Sequence, residues 1–216
     1  MAGRYHSIDD LPPLIGIFPL PGVLLLPRGH LPLNVFEPRY LALVEAALSG
    51  SRLIGMIQPT ESEEKTLKPR LSGVGCAGRI TGYRETEDNR YLITLTGICR
   101  FRVAQEVAVD TPFRQVQAEY RPFAGDLAEG DETDFPRDRV LAALNDYLSR
   151  RELKADWRSV MNAPAETLVN ALAMLCPFEP AEKQALLEAP SWTDRVTTLL
   201  ALLEMAGTAP GPSSVN

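Results

Sequence analysis

The 216-residue sequence is poor in the side chains that most catalytic and metal chemistry needs. It has two histidines, His6 and His30, and three cysteines, Cys76, Cys99 and Cys176. No cysteine lies within four residues of another cysteine or of a histidine, so a zinc site of the usual close spacing is excluded. An odd number of widely spaced cysteines, with no secretory context, argues for reduced thiols in a cytoplasmic protein. The polar stretch from Met1 to Asp10 lacks the charged-then-apolar pattern of a leader. H-E-x-x-H, G-x-S-x-G and the P-loop pattern G-x-x-x-x-G-K-[ST] are all missing, which removes the common signatures of zinc peptidases, serine hydrolases and nucleotide triphosphatases. No cofactor is expected. A thiol-dependent enzyme built from Cys76 or Cys99 with His30 stays open, because a sequence does not exclude a pair brought together by the fold.

The sequence also lacks an unbroken apolar run. Its greasiest stretch, Leu11 to Pro27, is interrupted by Pro12, Pro13, Pro19, Pro21 and Pro27. A helix broken that often leaves backbone groups unsatisfied in lipid, so the stretch reads as extended, buried chain and no membrane contact is expected. A basic excess is missing too. The net charge is -6. Met1 to Gly125 carries 14 Lys+Arg against 13 Asp+Glu, and the remainder carries 8 against 15. Neither part offers the positive surface that nucleic-acid binding requires.

What is present divides into two textures, and the reading is an α+β fold. Between Leu14 and Leu33 the apolar residues come in short runs, LIGIFPL, VLLLP and LPL, read as two strands with prolines at ends or edges. Glu37-Pro38-Arg39-Tyr40 opens a helix, since proline suits the first turn and a carboxylate the positive helix end. Tyr40, Leu41, Val44 and Leu48 form its stripe and Gly50 its stop. Leu53–Ile57 reads as a buried strand, 60–70 as a mobile polar loop, and 73–83, 90–105 and 113–120 as further strands. Gly125 to Asp134 is acidic with two glycines and reads as a linker. Beyond it apolar residues recur at helical spacing. One stripe runs through Val140, Leu141, Leu144, Tyr147 and Leu148, and a second through Leu168, Val169, Leu172 and Leu175. A short helix is expected from Pro180 to Glu188, and a last one after the capping-box-like Ser191-Trp192-Thr193-Asp194. The expected organisation is a β-rich part with one helix at 11–122, a helical bundle at 135–206 and a disordered tail at 207–216.

Gly73-Val-Gly75-Cys-Ala-Gly78 is a literal G-x-G-x-x-G. A dinucleotide site needs a strand before it and a helix after it. Here a polar loop precedes it and strand-like sequence follows, so these glycines are read as places where strands bend or pack closely. The acidic runs at 61–64 and 126–134 read as solvated loops. Extended chain rich in proline, leucine and valine beside a sheet is either core or a groove where a peptide adds by strand pairing.

Phe18-Pro-Leu-Pro-Gly-Val-Leu-Leu-Leu-Pro27 and Leu31-Pro-Leu-Asn-Val-Phe-Glu-Pro-Arg-Tyr40 resemble the N-terminal, substrate-binding domain of Lon proteases. The similarity continues through Ile54-Gly-Met56, Gly73 to Ile80, Leu95 to Phe101, and Glu182 to Glu188 with Asp194-Arg195-Val196. It covers about Leu11 to Met205. The resemblance implies a PUA-like β-rich half followed by a helical bundle, in a bacterial protein consisting of that domain alone. Full Lon proteases continue into an AAA+ ATPase and a Ser–Lys protease domain, and neither a Walker motif nor protease residues stand here, so no hydrolysis is expected. By the same resemblance, Pro19, Leu20, Leu24 and Leu26, with Phe36, Glu37, Arg39 and Tyr40, border a groove for unfolded or exposed apolar protein segments, with a protease as a further partner. Arg100 is the other polar residue of interest. Its alternative, like that of Glu37 and Arg39, is structural: a helix cap or a partner for a carboxylate across the fold. RNA binding is the rival function, since PUA-like folds occur in RNA-modifying proteins. It needs Arg79, Arg84, Arg90, Arg100 and Arg102 to cluster on one sheet face.

Overall fold

The computed structural model of the chain describes residues 5–60, 68–128 and 135–205. The loop expected around 61–67, most of the expected linker (129–134) and the tail expected at 207–216 fall outside them.

Among the described residues there are six strands: β1 (Leu14–Pro19), β2 (His30–Val35), β3 (Leu53–Pro59), β4 (Leu71–Glu85), β5 (Tyr91–Val107) and β6 (Gln115–Glu119). They are ordered β2-β5-β4-β3-β1-β6, and β6 returns to pair with β5. β1 and β3 run parallel and every other pair is antiparallel. The extra pairing closes β1, β3, β4, β5 and β6 into a ring, because β5 is long enough to serve two neighbours on one side. Its first half, Tyr91 to Thr96, pairs with β2, and its second half, Arg102 to Val107, pairs with β6. β2 is left as the edge strand. Gly29 O accepts from the Gly97 N–H at 2.9 Å, so alternate residues from Gly29 onward face β5, and Pro32 turns its ring nitrogen outward, where a missing donor does no harm.

Alternation along the strands sorts side chains to two cores. The ring encloses Ile15, Ile17, Leu53, Ile57, Phe101 and Val116, all buried. The opposite faces of the same strands contribute Ile54, Met56, Val74 and Cys76 to a second, larger cluster. That cluster also takes in α1 (Pro38–Ser49), through Tyr40, Leu43 and Val44, and the helical part. The helices there are α2 (Arg137–Arg150), α3 (Trp157–Asn162), α4 (Ala165–Leu175), α5 (Pro180–Glu188) and α6 (Trp192–Met205). Val140, Leu144, Tyr147, Val169, Leu186 and Leu199 face inward from them. At about 1.5–3 kcal/mol for each fully buried large apolar side chain, this shared cluster is a main source of cohesion between the halves.

The expected helices at 38–49, 180–188 and 192–205 form with the anticipated starts. The Ser191 hydroxyl accepts from the Asp194 N–H at 3.1 Å and donates to Asp194 Oδ2 at 2.6 Å. Two expectations need correction. Leu24 to Pro27 is buried, with Val23 half-buried beside it, but the segment belongs to no strand. The start of the supposed linker is ordered: residues Arg121–Leu127 form a 3-10 helix with Asp126 buried inside the protein.

Candidate peptide-binding surface

Of the residues named from the sequence, Pro19, Arg39 and Tyr40 meet at one groove. Pro19 ends β1, and Tyr40 sits in the first turn of α1, where Pro38 fixes the entry. The Tyr40 hydroxyl donates to Pro19 O at 3.4 Å, and its ring lies 4.0 Å from that of Phe18. The Arg39 guanidinium stacks over Tyr40 at 4.5 Å and pairs with Glu37 at 2.9 Å. Glu37 occupies the cap position of α1 but makes no side-chain cap bond, so its carboxylate serves Arg39 instead. Across from this cluster, the connection between β5 and β6 supplies Val109, Phe113 and Arg114, and the space between measures about 400 Å³. Lys68 and Glu106 complete its rim. Arg114 grips both oxygens of Glu106 at 2.9 and 2.8 Å, and Lys68 reaches it at 3.0 Å. Chiefly the Arg114 bonds, with help from Lys68, hold that carboxyl down to about 2. The groove therefore has a mixed lining, in which Pro19, Tyr40, Val109 and Phe113 lie beside a rim that keeps its charge.

The other named residues lie elsewhere. Leu20 is half-buried. Phe36 is 60% exposed beside Arg90, whose guanidinium lies 5.6 Å from the ring, and it does not line the groove. Leu24 and Leu26 are core residues, packed with Leu25 between the sheet and the helices.

Arg100 is also interior. It lies on β5 with its side chain outside the ring, where the 3-10 helix and α5 cover it. Its backbone N–H and Nε both donate to Asp126 Oδ2 at 2.9 Å, and Nη2 donates to Oδ1 at 2.9 Å. Nη1 donates to Leu187 O and Ala189 O at 2.9 and 2.7 Å, and Phe123 stacks 4.7 Å from the guanidinium. The arginine thus joins three elements through its planar fork. The carboxylate partner weighed for it from sequence is Asp126, from the stretch read there as solvated.

Arg100 is one member of a polar seam between the halves that the sequence reading missed. Gln58 at the end of β3 donates to Pro180 O at 3.0 Å and to Gln184 Oε1 at 3.1 Å, and accepts from the Gly22 N–H at 3.0 Å. Lys183 donates to Gly22 O at 2.9 Å and to Met174 O at 3.2 Å. Gln184 donates to Val74 O at 3.1 Å, and Asn170 to Pro27 O at 2.9 Å. Arg28 bonds both oxygens of Glu166 at 2.8 Å. Buried polar groups need such partners. A weak signal was present: Gln58 closes an apolar run, and Asn170 interrupts the stripe of Leu168, Val169 and Leu172.

The rival chemistries find little footing. All three cysteines are buried and free. Burial pushes the thiols of Cys99 and Cys176 up to about 12 and about 11, and that of Cys76 well above its usual range, so they stay protonated at neutral pH. The G-x-G-x-x-G lies within β4, where a Cβ at Gly75 would sit 2.6 Å from Phe101 and one at Gly78 would sit 2.6 Å from Leu25. Those two glycines serve close packing, as read from the sequence. Of the five arginines weighed for an RNA-binding face, Arg100 is interior, Arg79 bonds Tyr5 at 2.9 Å and Arg90 pairs with Asp88 at 2.7 Å. Among the described residues, no group of three His, Cys, Asp or Glu is placed to hold a metal, and no helix is long and apolar enough to cross a membrane.

Comparison with known proteins bears on the same architecture. Two solved structures share the fold. One is the Lon N-terminal domain protein from Xanthomonas campestris, with a TM-score of 0.58 at 24% identity, covering 87% of this chain and 97% of that one. The other is the N-terminal domain of the Mycobacterium avium complex Lon protease, with a TM-score of 0.63 at 16% identity, covering 88% and 97%. In sequence, Lon protease 2 of Sorangium cellulosum is 29% identical over 208 residues, and Lon protease of Desulfosudis oleivorans is 30% identical over 106. The chain spans only 24% and 13% of the lengths of those two relatives. Residues 15–205 match the family model described as the ATP-dependent protease La (LON) substrate-binding domain, and the chain belongs to that family.

Proposed function

We propose that this domain is a non-catalytic module that holds extended, apolar segments of unfolded or damaged protein, as an adaptor working beside a protease in cytoplasmic quality control. The observation that carries the reading is the groove at Pro19, Tyr40 and Phe113, set within a chain that matches a substrate-binding family over most of its length. The apolar members of the lining would take side chains that a folded protein hides, while the charged rim keeps the empty groove wetted and discourages self-association. The volume suits one or two side chains, which favours many weak, sequence-tolerant contacts over tight recognition of one ligand.

The test is binding of the purified chain to a chemically denatured model protein and to an array of apolar peptides. Val109→Asp places a charge in this lining at a half-buried position; it should weaken binding by about tenfold while moving the melting temperature little. Absence of binding to any denatured protein, or hydrolysis of peptide bonds or ATP by the purified chain, would overturn the proposal.

A further inference from the structure

At the seam, three arginines and two carboxylates surround a second pocket of about 260 Å³: Arg28, Arg100, Arg195, Asp126 and Glu166. The pairing among them is uneven. Asp126 is taken by Arg100 in a two-oxygen contact, and Glu166 is taken by Arg28 in the same way. Among the described residues, that leaves Arg195, in the first turn of α6, without a carboxylate. It is only 5% exposed, and its one hydrogen bond runs from Nε to Leu186 O at 3.2 Å. Its two Nη groups make no hydrogen bond among the described residues, yet they are not sealed from the pocket, because the buried side-chain nitrogens and oxygens that lack a partner are confined to Tyr147 and Asn170.

A buried guanidinium with idle donors is costly unless something answers it. Desolvation, and then the neighbouring charge of Arg100, lowers the Arg195 pKa to about 10, as expected of a cation whose charge is under-compensated. The carbonyls at the end of α5 offset part of that charge. The N-terminal end of α6, whose Ser191 and Trp192 also line the pocket, adds to it.

We propose that this pocket holds one carboxylate of a bound polypeptide, either its chain end or an acidic side chain, clasped by the Nη groups of Arg195. The charge tally selects the ligand. Among the described residues, three cations against two anions leave one surplus positive charge, which a monoanion neutralises; a phosphate dianion would exceed it and meet Asp126 and Glu166 on the wall. Pro122, Phe123, Pro190 and Trp192 form the rest of the lining, an apolar collar for the carbon atoms next to the carboxylate. The inference rests on the peptide-binding reading and adds to it an acidic anchor away from the groove.

The experiment uses the full chain and calorimetric titration with three versions of one short apolar peptide: free C-terminal acid, C-terminal amide, and amide carrying one internal glutamate. The free acid or the glutamate peptide should bind at least about tenfold more tightly than the plain amide, as a charge-assisted hydrogen-bond pair requires; whichever does so identifies the source of the carboxylate. Arg195→Gln retains a donor for Leu186 O and should abolish the difference between acid and amide. Equal binding of all three peptides by the unaltered chain sinks the proposal without recourse to a variant. Displacement of the acid peptide by inorganic phosphate at matched ionic strength, as effective as displacement by acetate, also overturns it. If the chain binds denatured protein but ignores the carboxylate, only this proposal falls; if it binds no denatured protein, the function proposed above falls with it.

Discussion

The barrel interior and the seam between the halves are held by different physics. Inside the ring, Phe101 and Val116 are fully buried among Ile15, Ile17 and Ile57, side chains that pack without directional bonds. At the seam, Arg100, Gln58, Lys183 and Asn170 each reach specific carbonyls or carboxylates on another element. Apolar packing tolerates any filling of the right volume, whereas a buried polar group tolerates only its partner. The barrel accordingly sets how strongly the β part coheres, and the seam sets how the helices sit on it.

The sharpest way to break this contrast is to remove one side of a seam pair. Asp126→Ala strands Arg100 and should cost about 3–5 kcal/mol in denaturant unfolding. Replacing both partners, as Arg100→Met with Asp126→Leu, should recover part of that loss, because no charge is then left buried alone although the Arg100 N–H and the Leu187 and Ala189 carbonyls lose their partners. A recovery close to zero would mean that the pair, and not its mere satisfaction, is required. Conservative exchanges should separate the regions next. Arg100→Lys loses the fork to Asp126 and should cost about 1.5–3 kcal/mol, while Phe101→Leu in the barrel should stay near or below about 1.5 kcal/mol. Equal costs would erase the distinction. Gln58→Ala should follow at about 1–3 kcal/mol, since it leaves the Gly22 N–H unanswered.

The smallest effect is expected at the groove rim. The folded-state pKa of Glu106, about 2, lies below that of an unfolded glutamate, so its contribution is present above about pH 4.3 and is lost as the pH falls toward 2. Because the pair is partly solvated, Glu106→Gln should change stability at pH 7 by no more than about 1 kcal/mol and should flatten the melting temperature between pH 4 and 2. An unchanged acid profile would show that the clamp contributes nothing.

The same division explains what the sequence discloses. Strand alternation and helical stripes are local, so the strands around Leu53, Leu95 and Phe101, and the helix starts at Pro38, Pro180 and Ser191, are visible without a structure. The seam is not, because its partners lie far apart in the chain: Arg100 and Asp126 are 26 residues apart, and Gln58 and Pro180 are 122. An aspartate among Gly125, Glu129 and Asp131 looks solvated until a guanidinium is known to face it. α3 escapes because it is one short segment with no buried residue. At the groove, Leu24 and Leu26 look like Leu20 in sequence, and only the helices packed over them make them core.

The seam also has a consequence in time. Arg100 donates to carbonyls 87 and 89 residues later in the chain, and a polypeptide emerges from the ribosome N-terminus first. All six strands, and with them the closed ring, are available while α5 and α6 are still unmade. Until those helices arrive, Arg100 has Asp126 and Gln58 has the Gly22 N–H, but Nη1 of Arg100 and the side-chain NH2 of Gln58 lack their partners. The newborn domain therefore passes through a stage in which its own unfinished flank is open, and completion of the last helices is the event that shuts it.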